Sequence, residues 1–184
     1  MRPLASYPPV QILSPKPVVV VEANGPTAFT PSATVTRPND TTPYTALDVM
    51  GGASAILSFT NFGPVEGGTV YVTEVSFRSD EGAIPASMAA TRLHLFSVSP
   101  TAIADNAAFD IPIADRAGYL GFVDIPAILD LGATLWAQTS AASIMGKPVV
   151  VPTGGTVYGL LQTIAGFTPV AQTVYTVFVK TAVA

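Results

Sequence analysis

The chain has 184 residues and no cysteine, so a single domain is the simplest arrangement, and disulfide scaffolds, thiolate metal sites and cysteine nucleophiles are excluded. Only 11% of the residues are charged, against about 25% in an average soluble domain, so we expect a weakly charged exterior that associates with another protein. The net charge of −4 argues against a nucleic-acid partner, because phosphate binding requires a basic surface.

Residues 1–27 are predicted to form an extended N-terminal arm, separate from a domain at 28–184. Frequent prolines favour extended or polyproline II backbone in this segment, which has no internal hydrogen bonds. The segment is nevertheless more apolar than a tail left in water is expected to be. A mobile tail is one interpretation; we prefer an arm that docks on its own domain or on a neighbouring subunit. The candidate partner-binding residues of the arm are Tyr7, Val10, Ile12, Leu13, Val18, Val19, Val20 and Val21.

The sequence predicts neither a membrane span nor a secretory leader. Its longest aliphatic run, Val18 to Val21, is far shorter than the roughly 18–20 residues that a spanning helix needs. The prolines near the N-terminus would break the helical apolar region of a signal peptide. We therefore expect a protein that is made and used without secretion, with no membrane partner.

From Phe29 onward, short segments of alternating apolar and polar residues predict β-strands. In the clearest one, 69–78, we expect Tyr71, Thr73, Val75 and Phe77 to share one face. Proline neighbours suggest an edge position for 147–151. Short helical turns are expected at 83–90 and 125–131. The predicted strands are 33–36, 55–59, 69–78, 91–98, 119–125, 132–139, 147–151, 156–164 and 173–183.

The stretch 91–110 lies near the middle of the chain and is predicted to open as a central strand that stops before Pro100. Eight or nine strands without a helix long enough to cross over predict an all-β protein. We expect an antiparallel two-sheet β-sandwich, jelly-roll-like as the first choice and immunoglobulin-like as the second.

Catalytic chemistry is not expected. With one histidine and no cysteine, a Ser-His-Asp triad is the only nucleophilic constellation to consider, and no G-x-S-x-G motif occurs. His94 lies within the central strand, on a face shared with Phe96 and Val98. This position favours a packed or hydrogen-bonded histidine over a catalytic base. We predict no catalytic residue, no cofactor and no enzymatic activity.

Three carboxylates recur at five-residue spacing, at Asp105, Asp110 and Asp115, and Asn106 adjoins the first. Calcium requires six to eight oxygens from a compact loop, whereas the intervening residues are mostly apolar. We therefore prefer a turn-forming Asp-Asn pair and predict no metal site. Asp115 and Arg116 are expected to form a charge pair at a hairpin end.

The sole tryptophan, Trp136, and the six tyrosines leave two interpretations open. Aromatic side chains of this kind usually belong to a sandwich core, and we prefer that interpretation. The alternative is a platform for a sugar ring.

Two long stretches resemble segments of tailed-phage and prophage structural proteins. TVTRPNDTTPYTALDVMGG, at 34–52, is similar to a T-R-P-x-D-T-T-x-Y-x-x-x-D-V-x-G opening, and LHLFSVSPTAIADNAAFDI, at 93–111, is similar to a downstream segment. YGLLQTIAGFTPVAQTVYTVFV, at 158–179, is similar to their closing strands. The matching positions are Arg37, Pro38, Asp40, Thr41, Thr42, Tyr44, Asp48, Val49, Gly51, Leu95, Phe96, Pro100, Thr101, Asp105, Asn106, Ala107 and Phe109.

This resemblance implies a β-sandwich on a phage particle, such as a capsid decoration or cement protein. The implied partners are the major capsid protein or other virion proteins, with a dimer or trimer of the chain itself. The implied location is the virion, assembled in the cytoplasm of the host bacterium. The alternative is a head-fibre or tail-associated adhesin that binds host glycans. The matching positions themselves are expected to act as turn formers and core anchors.

Overall fold

The computed structural model describes residues 28–52, 55–139 and 146–183. In these residues the chain folds into two antiparallel sheets that pack face to face, so the predicted two-sheet β-sandwich is confirmed. The predicted arm at 1–27, with all its candidate partner-binding residues, lies outside the described residues.

Twelve strands, each pairing antiparallel, are found within the described residues. In chain order they are β1 Ala28–Phe29, β2 Ser32–Thr36, β3 Val49–Met50, β4 Leu57–Phe59, β5 Thr69–Ser79, β6 Thr91–Phe96, β7 Tyr119–Ile125, β8 Leu129–Asp130, β9 Leu135–Gln138, β10 Lys147–Val150, β11 Val157–Thr163 and β12 Val174–Val183.

The seven-stranded sheet has the order β1-β12-β5-β9-β8, with β2 also alongside β12 and β10 also alongside β5. The five-stranded sheet has the order β3-β11-β6-β7, with β4 also alongside β11. The first two strands therefore pair with the last one, which ties residue 28 to the C-terminal end of the fold. Within the described residues β10 pairs with β5 alone, at the edge expected for it.

The core consists of the side chains that the two sheets turn toward each other. Burying one such side chain stabilises the folded state by roughly 1.5–3 kcal/mol. A slip of one residue in strand pairing would turn these side chains to solvent, so each alternating strand keeps a single register. Large, fully buried side chains from both sheets and their loops include Phe59, Phe62, Phe77, Leu93, Leu95, Ile125, Leu135 and Tyr175.

Strand β6 is buried on both faces. It lies between β11 and β7, as the sequence predicted for a central strand. Leu93 and Leu95 enter the main core, whereas Phe96 joins a second apolar cluster beneath the segment 103–111. The expectation that Val98 shares the face of Phe96 is wrong, because the strand ends at Phe96 and Val98 is exposed.

The predicted facing of β5 is wrong in its first half. Val70 and Val72 are buried, and Tyr71 and Thr73 are exposed. The cause is a β-bulge, because Lys180 pairs with Glu74 while Thr181 pairs with Val72. Thr73 is therefore an extra residue without a partner, and the inward face changes parity across it.

The two predicted helical turns are also wrong. Strand β8 and a turn closed by a hydrogen bond from the amide of Leu131 to the carbonyl of Thr134 replace the turn at 125–131. Gly132 has φ +97°, a left-handed conformation that suits this reversal. The segment 83–90 is irregular, and the only helix in the described part of the chain is the 3₁₀ helix Ile113–Gly118, which was not predicted.

Candidate functional site

Arg37, the residue that follows β2, is almost completely buried, and its guanidinium is hydrogen-bonded on all sides. Nη2 lies 2.8 Å from Oδ2 of Asp105 and forms an ion pair with it. Nε donates to the hydroxyl of Tyr44 at 2.7 Å. Nη1 donates to the backbone carbonyls of Asp40 at 3.1 Å and Val170 at 3.3 Å. A buried cation requires this degree of pairing, because an unpaired charge in the interior is very costly.

The carboxylate of Asp105 accepts three hydrogen bonds. Besides Arg37, the hydroxyl of Tyr44 donates to Oδ1 at 2.6 Å and the amide of Gly51 donates to Oδ1 at 2.8 Å. Gly51 has φ +143°, and a Cβ there would come within 3.1 Å of Val35 and 3.2 Å of Ala55. Only glycine brings this amide so close to the carboxylate without strain.

Asp48 and Asn106 extend the same contact. Oδ2 of Asp48 accepts from the amide of Thr45 at 2.6 Å and from its hydroxyl at 3.0 Å. With its amide nitrogen turned toward its acceptors, Asn106 donates to Oδ2 of Asp48 at 3.0 Å and to the carbonyl of Pro43 at 2.8 Å. Asn106 has φ +61°, a turn conformation that asparagine tolerates better than most residues.

These residues form one polar cluster between two distant parts of the chain. The stretch 34–52 supplies its cation, and the stretch 93–111 supplies the counter-ion, 68 residues later. The sequence predicts turn formers and core anchors at these positions, and it does not predict the ion pair. We call the cluster the Arg37 junction: Arg37, Tyr44, Asp48, Gly51, Asp105 and Asn106.

Two groups of this junction, the Arg37 guanidinium and the Tyr44 hydroxyl, have raised pKa values. Burial alone would lower the pKa of Arg37, but the hydrogen bond and the charge of Asp105 outweigh it and the pKa is raised. Burial raises the pKa of the Tyr44 hydroxyl far above its usual range, with further contributions from Tyr175 and Asp105. Arg37 is therefore charged and the Tyr44 phenol neutral at pH 7.

Glu81 lies at the rim of an open depression of about 340 Å³ formed with Asp80 and the segment 170–173. Oε1 of Glu81 accepts from the hydroxyl of Thr173 at 2.8 Å, whereas Oε2 and the buried hydroxyl of Tyr175 have no hydrogen-bond partner among the described residues. Burial raises the pKa of Glu81, although the hydrogen bond from Thr173 opposes this shift.

We expect Glu81→Gln to stabilise the protein at pH 7 and to have less effect near pH 4. The folded-state pKa of Glu81 is raised, so the unfolded chain ionises first and stability is lost as the pH rises through the folded-state pKa. Glutamine keeps the size of the side chain and removes the ionisation. Urea denaturation of both proteins at several pH values measures the difference. A destabilised variant at pH 7 would contradict the argument.

His94 has a partner on each ring nitrogen. Nδ1 lies 3.0 Å from the hydroxyl of Tyr119, and Nε2 lies 3.1 Å from Oε1 of Gln162. Nε2 of Gln162 donates to the carbonyl of Leu47 at 3.1 Å, which fixes the orientation of the amide. Its oxygen must therefore face the imidazole, so His94 carries its proton on Nε2 and accepts from Tyr119 on Nδ1.

Burial lowers the pKa of His94 to about 4, although the hydrogen bond that its Nε2–H donates to Gln162 opposes this shift. Phe109 stacks on the imidazole with 3.8 Å between ring centroids. Both nitrogens are thus occupied and one face is covered, leaving His94 no free lone pair with which to accept a proton from a substrate. The geometry agrees with the structural role expected for this residue.

No protein-family model matches the sequence, and no curated protein matches it. No helix in the described part of the chain is long and apolar enough to cross a membrane.

The carboxylates considered for calcium do not converge. Asp105 belongs to the Arg37 junction, and Oδ2 of Asp115 accepts from the amide of Thr101 at 2.8 Å. The described residues contain no group of three or more His, Asp or Glu side chains arranged to hold a metal ion. The predicted pair of Asp115 with Arg116 is wrong, because both lie in the 3₁₀ helix and no ion pair joins them among the described residues.

Trp136 is not a core residue. It lies on the outer face of the seven-stranded sheet, half-buried, with its ring centroid 6.0 Å from that of Phe178. The guanidinium of Arg78 lies over the Phe178 ring at 5.7 Å. The core interpretation of Trp136 is therefore wrong, since the residue beside it, Leu135, faces the interior instead.

Proposed function

We propose that this protein is a non-enzymatic structural protein of a tailed-phage particle, a decoration or cement protein that binds the head shell and stabilises it. The observation that carries the proposal is the Arg37 junction. The two stretches that resemble virion proteins pack against each other in it, and Arg37 and Tyr44 of the first bond to Asp105 of the second within the sandwich. A role for these stretches in architecture fits an assembly protein better than an enzyme.

The surface of the sandwich supports the same proposal. Large apolar side chains are exposed at several places, including Val98 and Ile113 at one end, where Ile113 is 80% exposed. With only 11% of the residues charged, little offsets them. Contact with the major capsid protein, another virion protein or further copies in a dimer or trimer would cover such surface. The protein would then be located in the virion, after assembly in the bacterial cytoplasm.

Phage particles that carry the protein should be disrupted at a higher temperature than particles assembled without it. Binding to the assembled shell but not to its dissociated subunits stabilises the shell by mass action. The measurement is the release of packaged DNA on heating, followed with a fluorescent dye. Adding the purified protein back should restore the higher temperature. Equal disruption temperatures for the two kinds of particle would contradict the cement role.

A second candidate function is a glycan-binding adhesin, favoured by the half-buried Trp136 beside Phe178 on an outer sheet face. Aromatic rings on a flat sheet face can stack on sugar rings. A glycan array, run with the protein and with Trp136→Ala, tests this candidate. Binding that the substitution abolishes would support it, and equal binding by both proteins would count against it.

A further inference from the structure

A row of paired residues crosses the outer face of the seven-stranded sheet, with Arg78 at its centre. Arg78 of β5 pairs with Thr176 of β12 on one side and with Trp136 of β9 on the other. Farther out, Thr34 of β2 pairs with Thr176, and Leu129 of β8 pairs with Trp136. Directly paired residues face the same side of a sheet, and the hydroxyls of Thr34 and Thr176 lie 3.2 Å apart. The row therefore presents five side chains on the side opposite the core.

Two half-buried aromatic rings lie beside this arginine. The ring centroids of Trp136 and Phe178 are 6.0 Å apart, and their planes are inclined at 33°. The guanidinium carbon of Arg78 lies 5.7 Å from the centroid of the Phe178 ring. In the row next to Arg78, Ser76 pairs with Phe178 on one side and with the exposed Gln138 on the other. We call the following five residues the Arg78 platform: Thr34, Arg78, Trp136, Gln138 and Phe178.

The charges on this face leave the guanidinium of Arg78 without a counter-ion. Arg78 is exposed and forms no ion pair among the described residues, whereas Lys180 on the same face is bound to Glu74 at 2.8 Å. Asp80, which follows β5, uses Oδ1 to accept from the amide of Val174 at 2.8 Å and does not pair with Arg78. A guanidinium is a planar fork that matches a carboxylate with two parallel hydrogen bonds. The platform is therefore complementary in charge to a ligand that carries a carboxylate.

We propose that the Arg78 platform binds an acidic glycan, one whose sugar ring carries a carboxylate as a uronic acid does. The inference deepens the glycan-binding candidate and rests on it. The exposed parts of the Trp136 and Phe178 rings pack against the apolar face of the sugar, and Arg78 donates two hydrogen bonds to its carboxylate. Thr34 and Gln138, on opposite sides of Arg78, bond to sugar hydroxyls. An open sheet face suits a polysaccharide chain lying across it better than a small molecule, which is usually enclosed in a pocket.

A glycan array separates this inference from the candidate function on which it rests. The probes are oligosaccharides of glucuronic, galacturonic and mannuronic acid, each printed beside its carboxyl-reduced, neutral form. We expect the full-length protein to bind an acidic form about tenfold more tightly than its neutral form, because reduction removes the charged acceptor of Arg78. Equal binding of the two forms, or binding of neutral forms alone, would overturn the carboxylate preference and leave the glycan-binding candidate standing. Binding of no probe would overturn both.

Arg78→Gln tests the residue assigned to the carboxylate. The substitution should lower the affinity for the acidic form to that of its neutral form. Arg116→Gln is the matched control, because Arg116 is an exposed arginine of the 3₁₀ helix outside the platform, and it should leave the preference for the acidic form intact. Substitutions of exposed residues usually change stability little, and the urea midpoints of both variants check that the fold is kept. Equal binding of the acidic form by the two variants would overturn the assignment of Arg78.

Discussion

Replacing Asp105 with asparagine is expected to lower the free energy of unfolding by about 3–5 kcal/mol. Asparagine is nearly isosteric with aspartate, so packing is preserved and the main loss is charge. Arg37, whose side chain is fully buried, then keeps its charge in the interior without a counter-ion. The amide of Gly51 and the hydroxyl of Tyr44 also lose a charged acceptor. Urea denaturation at pH 7 measures the effect as a lower midpoint with an unchanged slope.

Asp124→Asn provides the matched control for this substitution. Asp124 also pairs with an arginine, Arg92, at 2.6 Å, but its side chain is 56% exposed. Exposed pairs contribute little, so the control should cost less than about 1 kcal/mol. Should Asp105→Asn cost no more than Asp124→Asn, the Arg37 junction would not be a stabilising element of the fold.

Local sequence patterns were sufficient to predict the two sheets, but not the position at which the pairing register between two strands shifts. The alternating segment 173–183 was predicted as a strand, and in β12 the alternate residues Tyr175, Val177 and Val179 are buried together. The same rule failed in β5, because a bulge at Thr73 depends on how β5 pairs with β12 and leaves no local signal. A strand covered on both sides, such as β6, also lacks the polar face that alternation needs.

The candidate site was harder to predict than the fold because its residues meet only through tertiary structure. Arg37 and Asp105 lie in separate turns, and each alone is typical of an exposed loop. The scarcity of basic residues was a usable signal. The chain has only eight of them, and a basic side chain is rarely buried. Sequence pattern does not indicate which of the twelve acidic residues would be its partner.

Lowering the pH from about 6.5 to 4 is expected to destabilise the protein by up to about 3 kcal/mol through His94 alone. Burial lowers the pKa of His94 to about 4 in the folded state, while the unfolded chain keeps the ordinary value of 6.5. Above pH 6.5 the imidazole is neutral in both states and has no effect. As the pH falls, the unfolded state binds a proton first, so unfolding becomes easier until the folded imidazole also titrates.

His94→Gln isolates this contribution, because the other titrating groups, including Glu81 with its opposite dependence on pH, stay in both proteins. The variant is expected to be less stable at pH 7, where the stacking on Phe109 is lost. The difference between the two proteins should shrink as the pH falls toward 4, by at most about 1.4 kcal/mol per pH unit. The imidazole proton shifts of the folded protein, followed by NMR, should titrate with a midpoint near 4. A midpoint near 6.5 would show that burial does not hold the ring neutral.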